Sequence, residues 1–276
     1  MNKKLITLAV AGALASPLIA LAADAAPTPE HTITGNLTLA SSYRFRGIDQ
    51  TYGEPAIQGG IDYSHSSGLY LGNWNSNVNE GAGFPSGNIE MDFYGGYKFN
   101  AGDFGFDVGA IYYYYPGSDS GLDSTGATKL GSPFNNKSGR THNGSVDNTE
   151  IYLGVSWKFL SAKYFYSVND YFSAPKTDGS SYFDLSAAYD LGDGWGINGH
   201  VGYLNFDNMH KADYTDWKIG VTKDINGWVI GLAYIDTNAH GSCSKGEFYC
   251  FTDGSDPGKT KDAGRGIGVL SVTKSF

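Results

Sequence analysis

The feature of this sequence that most limits its fold is a repeated alternation of apolar and polar residues. In the stretch 32–46, the odd positions include Ile33, Leu37 and Leu39, while the even positions are mainly Thr, Asn and Arg. Because successive side chains of a β-strand point to opposite faces, such a stretch is a strand between an oily and a polar environment. The pattern predicts strands near 32–46, 55–65, 68–78, 88–99, 103–115, 148–159, 161–172, 180–191, 195–205, 215–224, 227–237 and 264–276. The facing of the strand at 68–78 stays open, because Leu and aromatic residues occupy opposite faces there.

The connections between these strands alternate between short and long. The short ones lie at 65–68, 100–103, 160–161, 192–194 and 226–227, and the long ones near 47–54, 78–87, 116–147, 173–179, 206–214 and 238–263. Outer-membrane barrels place short turns on the periplasmic rim and long loops outside, whereas a β-sandwich has no reason to sort its loops. The predicted fold is therefore an all-β, transmembrane, antiparallel up-and-down β-barrel of about 12 strands.

The N-terminus has the features of an export signal. Lys3 and Lys4 precede an apolar stretch that ends in Ala20-Leu21-Ala22, a small-x-small pattern typical of signal peptidase sites. Cleavage is expected after Ala22, with Ala25 as the second choice; a retained membrane helix is the alternative. The predicted division is a signal peptide at 1–22, a short periplasmic segment at 23–30 and a barrel at 31–276 in the lipid of a bacterial outer membrane.

Aromatic residues are concentrated at the strand ends, as in the two interfacial girdles of membrane barrels. The predicted short-turn girdle contains Tyr97, Phe99, Phe104, Trp157, Phe159, Trp195, Trp228 and Phe276. The predicted long-loop girdle contains Tyr43, Phe45, Tyr112, Tyr114, Phe183, Trp217 and Tyr234. The final strand ends at Phe276, which resembles the signal recognised by the bacterial barrel-assembly machinery, so that machinery is an expected partner. Lys274 departs from the apolar pattern of this strand and can snorkel to the interface.

Charge and cysteine content narrow the range of partners. The chain carries 19 basic and 28 acidic residues, a net charge of −9, so nucleic acid is not an expected partner.

Cys243 and Cys250 are expected to form a disulfide in an exported protein. The alternative is a metal-binding pair, but His240 alone does not complete a zinc site. Neither a metal site nor a cofactor is predicted.

Three segments resemble a known family: Ser42-Tyr43-Arg44-Phe45-Arg46-Gly47, residues 55–63 and Trp74-Asn75-Ser76-Asn77-Val78. They are similar to the TorF-type outer-membrane porin family, long catalogued as conserved proteins of unknown function. The resemblance covers essentially the whole mature chain and is strongest over 40–100 and 184–205. It implies an outer-membrane barrel of porin type, but neither a substrate nor catalytic residues.

Charged residues on the inward faces of the strands indicate a pore. Closure of the barrel brings the first and last strands together, so Arg44, Arg46 and Arg265 are expected on one wall. Inward acids are expected on the remaining wall, namely Glu90, Asp92, Glu150, Asp184 and Asp216. Such a charged belt produces a transverse field that orients dipolar solutes. The alternative is that these charges pair with one another as a structural network, and the loop 116–147 could also fold inward as a constriction.

The function predicted from these features is passive diffusion of small hydrophilic solutes through a porin-like channel. One alternative is a non-conducting barrel with a structural or surface-interaction role. A weaker alternative is an outer-membrane lipid-modifying enzyme. His200 is the histidine placed in the middle of a predicted strand, and no nucleophile lies beside it in sequence, so no catalytic residue is assigned and the chain is expected not to be an enzyme.

Overall fold

Twelve antiparallel strands close into a barrel in the computed structural model, which describes residues 29–82, 87–118, 146–174, 176–253, 256 and 258–276. The strands are β1 (His31–Ala40), β2 (Arg44–Phe45), β3 (Ile48–Asp49), β4 (Ala56–His65), β5 (Leu69–Asn77), β6 (Ile89–Ala101), β7 (Phe104–Tyr114), β8 (Asn148–Trp157), β9 (Leu160–Ser167), β10 (Ser181–Gly192), β11 (Trp195–Asn205), β12 (Tyr214–Ile225), β13 (Trp228–Thr237), β14 (Cys250–Thr252), β15 (Thr260–Asp262) and β16 (Ile267–Ser275). The pairs β2–β3 and β14–β15 form separate ribbons, and the other twelve strands form the wall. The predicted fold class is confirmed.

Helical structure is limited to short 3₁₀ turns at Glu80–Ala82, Tyr171–Ser173 and Cys243–Lys245 among the described residues. Within this part of the chain, no helix has the length and apolar character needed to cross a membrane. The predicted signal peptide at 1–22 and most of the loop 116–147 lie outside the described residues.

The two rims of the barrel differ as the sequence predicts. Short turns follow β4, β6, β8, β10 and β12, while the other connections between wall strands are long. The turn between β12 and β13 is Asn226-Gly227, and both residues have positive φ, at 55° and 79°. This is the conformation that two-residue hairpins require, and Asn-Gly is the pair that tolerates it best. Local turn chemistry therefore fixes the register of this hairpin.

Closure of the barrel joins the two ends of the described chain. β1 pairs with β16 from Asn36 opposite Ser275 to Ala40 opposite Ser271. Beyond this register, Gly35 and Phe276 exchange two backbone hydrogen bonds, of 2.8 and 3.2 Å. The C-terminal residue is thus part of the wall.

The outer surface of the wall is apolar. Outward side chains such as Ile61, Leu153 and Ile219 expose 63%, 56% and 68% of their surface. In β5, Leu69 and Leu71 also point outward, whereas the Tyr70 hydroxyl reaches Asp107 inside the barrel. The strand whose facing the sequence left open is thereby assigned.

The short-turn girdle has the predicted members, all of them exposed. The long-loop girdle retains the exposed rings of Tyr112, Phe183, Trp217 and Tyr234. Tyr43 and Phe45 do not belong to it, because they are only 2% and 9% exposed and lie inside the barrel.

The predicted first strand is too long, and this error displaces two predicted site residues. β1 ends at Ala40, where Ser41 donates its backbone N–H to the Leu270 carbonyl at 2.9 Å. The chain then leaves the wall and enters the lumen, although the apolar–polar alternation continues to residue 46. Two other strands are also clearly shorter than predicted: β9 ends at Ser167, and β16 begins only at Ile267.

The expected disulfide is present in the long connection between β13 and β16. The sulfur atoms of Cys243 and Cys250 are 2.06 Å apart, and the bond closes a short ring within that connection.

Candidate functional site in the barrel lumen

A segment that connects two wall strands occupies the lumen. Residues 42–51, here called the inner hairpin, are all buried and contain the paired strands β2 and β3. The hairpin turns at Arg46 and Gly47, which have φ values of 48° and 79°. A Cβ atom at position 47 would collide with the Thr237 side chain and lie 2.8 Å from Asp216 Cβ. Glycine is therefore required here both by the backbone conformation and by the close approach to the wall.

Arg46 reaches across the lumen to Glu150 on β8. Its Nη1 donates to Glu150 Oε1 at 2.9 Å and its Nη2 to Oε2 at 2.7 Å, a bidentate pair. Nη1 also donates to the Tyr171 hydroxyl at 2.8 Å, and the Tyr113 hydroxyl donates to Glu150 Oε2 at 3.1 Å. The two side chains are only 3% and 0% exposed. The pair thus anchors the tip of the inner hairpin to the opposite wall.

Aromatic rings enclose the Arg46 guanidinium. Its central carbon lies 4.2 Å from the Tyr182 ring centroid, 4.8 Å from that of Phe45 and 5.1 Å from that of Phe165. Burial alone would lower the pKa of Arg46, but the adjacent Glu150 carboxylate outweighs it and raises the pKa well above its usual value. The guanidinium is therefore a permanent buried cation that depends on its partner.

Arg44 fixes the other side of the inner hairpin. Its Nη1 donates to the Ala263 carbonyl at 2.7 Å, and its Nη2 lies 3.6 Å from Asp49 Oδ2. Lys261 Nζ is 2.7 Å from the same Asp49 oxygen. The Arg265 side chain is exposed, and the residue precedes β16. The predicted wall of Arg44, Arg46 and Arg265 is wrong, because the first two arginines lie on the inner hairpin and point to different partners.

The predicted acids all come from wall strands, and they occur in separate groups. Glu90 and Asp92 on β6 are 1% and 3% exposed, and Glu90 faces Tyr43 and Tyr115. On the far wall, His200 lies between two carboxylates, with Nδ1 at 3.0 Å from Asp184 Oδ2 and Nε2 at 3.5 Å from Asp216 Oδ2.

This arrangement is a set of local charge networks and not one belt with opposed walls. The alternative drawn from the sequence is that these charges pair with one another as a structural network. The Arg46–Glu150 pair fits that alternative.

A further network near the short-turn rim was not identified from the sequence. Lys163 Nζ lies 2.8 Å from Asp107 Oδ2, and the Tyr70 hydroxyl donates to Asp107 Oδ1 at 2.6 Å. The hydroxyls of Tyr70 and Tyr152 also contact each other. These side chains come from four different strands, β5, β7, β8 and β9. The alternating pattern assigns these side chains to the inner face of their strands. Their pairing depends on a register that the sequence alone does not specify.

A cavity lined by both polar and apolar side chains lies between the inner hairpin and the inner faces of β1, β4, β11, β12, β13 and β16. Its lining includes the basic side chains of Arg44, Arg46, His200 and Lys218. Each of them has a carboxylate nearby, since Asp184 and Asp216 also act on Lys218. The nearby carboxylates therefore offset much of the positive charge that the basic side chains bring to the cavity.

A second cavity lies on the long-loop side of the inner hairpin. Its aromatic lining consists of Phe45, Tyr115, Tyr171, Phe172, Phe206, Tyr214, Phe248, Tyr249 and Phe251. Phe172 has a φ of 46°, which is rare for an aromatic residue, and its ring packs on those of Phe45 and Tyr113. The inner hairpin thus separates a cavity of mixed polar and apolar lining from an aromatic one.

Comparison with solved structures gives distant likenesses. The KdgM porin aligns with a TM-score of 0.48 and 8% identity, over 88% of this chain and 98% of that one. The NanC porin aligns with a TM-score of 0.46 and 9% identity, over 88% of this chain and 98% of that one. OccK8 (OprE) of Pseudomonas aeruginosa aligns with a TM-score of 0.38 and 14% identity, over 91% of this chain and 68% of that one. At these TM-scores and identities, none of the three supports a function for this chain.

Comparison at the level of sequence families is more informative. No curated protein matches the chain. A family model described as "Bacterial protein of unknown function (Gcw_chp)" matches residues 24–256. Since this description states no function, the resemblance to TorF-type porins stays a prediction. Because the match spans most of the sequence, the chain belongs to the Gcw_chp family of bacterial proteins of unknown function.

Proposed function

We propose that this protein is an outer-membrane channel for passive diffusion of small hydrophilic solutes, with the inner hairpin as its constriction. The observation that carries the proposal is the cavity inside a closed barrel, whose lining includes the basic side chains of Arg44, Arg46, His200 and Lys218. Small barrels fill their interior with side chains, whereas larger barrels enclose cavities or channels. A cavity lined in part by basic and polar side chains, next to a wall of twelve strands, has the character of a solute path.

The outer-membrane location is supported by the surface of the wall. Leu and Ile side chains more than half exposed recur around the barrel, for example Leu71, Leu153, Leu232 and Leu270. Contiguous apolar surface of this extent is unfavourable in water and matches the hydrocarbon region of a bilayer. Aromatic rings at both rims fit the two lipid–water interfaces.

The charge of the cavity supports weak ion selectivity. Arg44, Arg46, His200 and Lys218 face the cavity, so anionic groups are favoured inside it. Their paired carboxylates and the net charge of −9 for the whole chain oppose this preference. We therefore infer weak selectivity with a slight preference for anions in the cavity.

A non-conducting structural barrel is the second candidate. It is favoured by the Arg46–Glu150 pair, which crosses the lumen within buried aromatic side chains. A lumen closed by this pair leaves the long loops as the functional surface. Conductance distinguishes the two candidates directly.

The test is conductance of the purified protein in planar lipid bilayers. The channel proposal predicts small, resolvable conductance steps for the wild type. Gly47→Val should displace the inner hairpin, because of the collision at Thr237 and the positive φ, and should enlarge the steps.

Gly102→Val is the matched control. Gly102 also has a positive φ, of 60°, but has no atom near its absent Cβ. It should leave conductance unchanged. Absence of conductance in both the wild type and Gly47→Val would overturn the channel proposal and favour the structural barrel.

A further inference from the structure

Three side chains with metal-ligating atoms meet on the outside of the wall, at the short-turn rim. β1 begins at His31 and β4 ends at His65, and these two residues are directly opposite in the β1–β4 register. Their imidazole centroids are 5.1 Å apart. Glu30 precedes His31, and its carbonyl oxygen accepts the Ser66 backbone N–H at 2.9 Å. The closing hydrogen bonds of one β-hairpin therefore bring all three side chains together.

One ligand atom from each of Glu30, His31 and His65 lies within 4.8 Å of the other two. His65 Nε2 is 3.6 Å from Glu30 Oε1. A tetrahedral zinc site with Zn–N bonds of ~2.0–2.1 Å places neighbouring ligand atoms ~3.4 Å apart. The Glu30 side chain is 72% exposed, so it can rotate to close the remaining distance without disturbing the wall.

Both imidazoles are oriented by hydroxyl groups from neighbouring residues. Tyr63 Oη lies 2.9 Å from His31 Nδ1, and Ser67 Oγ lies 2.7 Å from His65 Nδ1. Metal-binding histidines generally use one ring nitrogen for such a hydrogen bond, which sets the tautomer and leaves the other nitrogen for the metal. In both rings the hydroxyl group occupies Nδ1, so Nε2 is the nitrogen that would bind a metal ion.

The hydrogen bonds around His65 also predict a change on metal binding. The Ser67 backbone N–H lies 3.1 Å from His65 Nδ1 and donates to it, so the metal-free ring carries its proton on Nε2. Coordination through Nε2 requires that proton to move to Nδ1, which can then donate to Ser67 Oγ. Tautomer exchange at His65 is thus an expected signature of occupancy.

We propose that Glu30, His31 and His65 form a binding site for a borderline divalent transition-metal ion, with Zn²⁺ as the reference ion. Two imidazoles and one carboxylate form a donor set that zinc accepts in open sites, with water at the fourth position. Ca²⁺ and Mg²⁺ prefer sites built from oxygen ligands and are disfavoured. The bound ion would tie the start of β1 to the end of β4. The site lies outside the lumen, so it is independent of the proposed channel.

The test is isothermal titration with ZnCl₂ of detergent-solubilised protein, prepared without a polyhistidine tag and freed of metal. One site per chain is expected. His31→Ala and His65→Ala should each weaken binding at least tenfold. Ser67→Ala should weaken it by roughly 10–100-fold, since loss of such an orienting partner has this effect at metal sites.

His240→Ala is the matched control. His240 Nδ1 also lies beside a glutamate, 3.7 Å from Glu247 Oε1, but in the long connection between β13 and β16. It should bind Zn²⁺ as the wild type does. A wild type that binds no Zn²⁺, or that binds it as tightly as the His31→Ala/His65→Ala double variant, overturns the proposal.

A measurement on the wild type alone covers the case in which rim variants fail to fold. In ¹⁵N NMR spectra, Zn²⁺ should move the His65 proton from Nε2 to Nδ1. Unchanged His31 and His65 ring signals under saturating Zn²⁺ overturn the proposal.

Discussion

The buried Arg46–Glu150 pair allows a quantitative test of what holds the inner hairpin in the lumen. Arg46→Met and Glu150→Gln each remove one charge and leave the other buried, since the two side chains are 3% and 0% exposed. Breaking a buried ion pair in this way costs about 3–5 kcal/mol. Arg46→Met also loses the contacts with the Tyr182 and Phe45 rings, worth ~0.5–2 kcal/mol each. Each single variant should therefore lower the free energy of unfolding by at least about 3 kcal/mol.

The double variant Arg46→Met/Glu150→Gln separates pairing from packing. It leaves no uncompensated charge, so its cost should be smaller than the sum of the two single costs by about 2–3 kcal/mol. Lys259→Met is the control, because Lys259 and Asp256 form an exposed pair with Nζ and Oδ2 3.6 Å apart. Such surface pairs are worth ~0–1 kcal/mol.

The assay is reversible guanidinium unfolding in lipid vesicles, followed by tryptophan fluorescence. Bilayer conductance of the same variants is recorded in parallel. If the inner hairpin leaves the lumen, water reaches Glu150 and the loss of unfolding free energy is smaller. Single variants that cost less than about 1 kcal/mol with unchanged conductance would refute the reasoning. Strictly additive costs would refute it as well.

Three further predictions concern the wall, the cavity and the outer loop. Leu153→Arg should lower the unfolding free energy by ~2–4 kcal/mol in a bilayer, whereas Gly154→Arg should mainly reduce conductance; equal effects at both positions would contradict the assigned faces. Lys218→Met should shift the reversal potential toward cation selectivity, and an unchanged potential would place the cavity outside the solute path. Cys243 and Cys250 should resist alkylation until reduced, and Cys→Ser at both positions should lower stability by at most about 2–3 kcal/mol; larger losses would mean that the loop supports the wall.

The wall could be predicted from the sequence because its signals are local. Alternation of apolar and polar residues assigns each strand its faces, and Asn226-Gly227 marks a tight turn without reference to any other part of the chain. The end of β1 could not be predicted in the same way. Tyr43, Arg44, Phe45 and Arg46 continue the alternation, and only their contacts inside the barrel remove them from the wall.

The lumen could be predicted only in part. The apolar–polar alternation of their strands identifies Glu90, Glu150 and Asp216 as inward residues, but it does not identify their partners. Arg46 lies 104 residues before Glu150 in the chain, and no periodic pattern relates two such positions. The histidines of the candidate metal site were missed for a related reason, because His31 and His65 become neighbours only through the β1–β4 register.

The inner hairpin also has a consequence for the order of assembly. It follows the first strand directly, yet its side chains bind groups 104 and 219 residues further along the chain, at Glu150 and Ala263. These partners are absent from the first hairpins to form, and a buried guanidinium without its carboxylate is unfavourable. The hairpin must therefore stay hydrated until much of the wall is in place. Contacts of such long sequence separation slow folding, so insertion of the hairpin is expected to be a late step, coupled to pairing of the first and last strands.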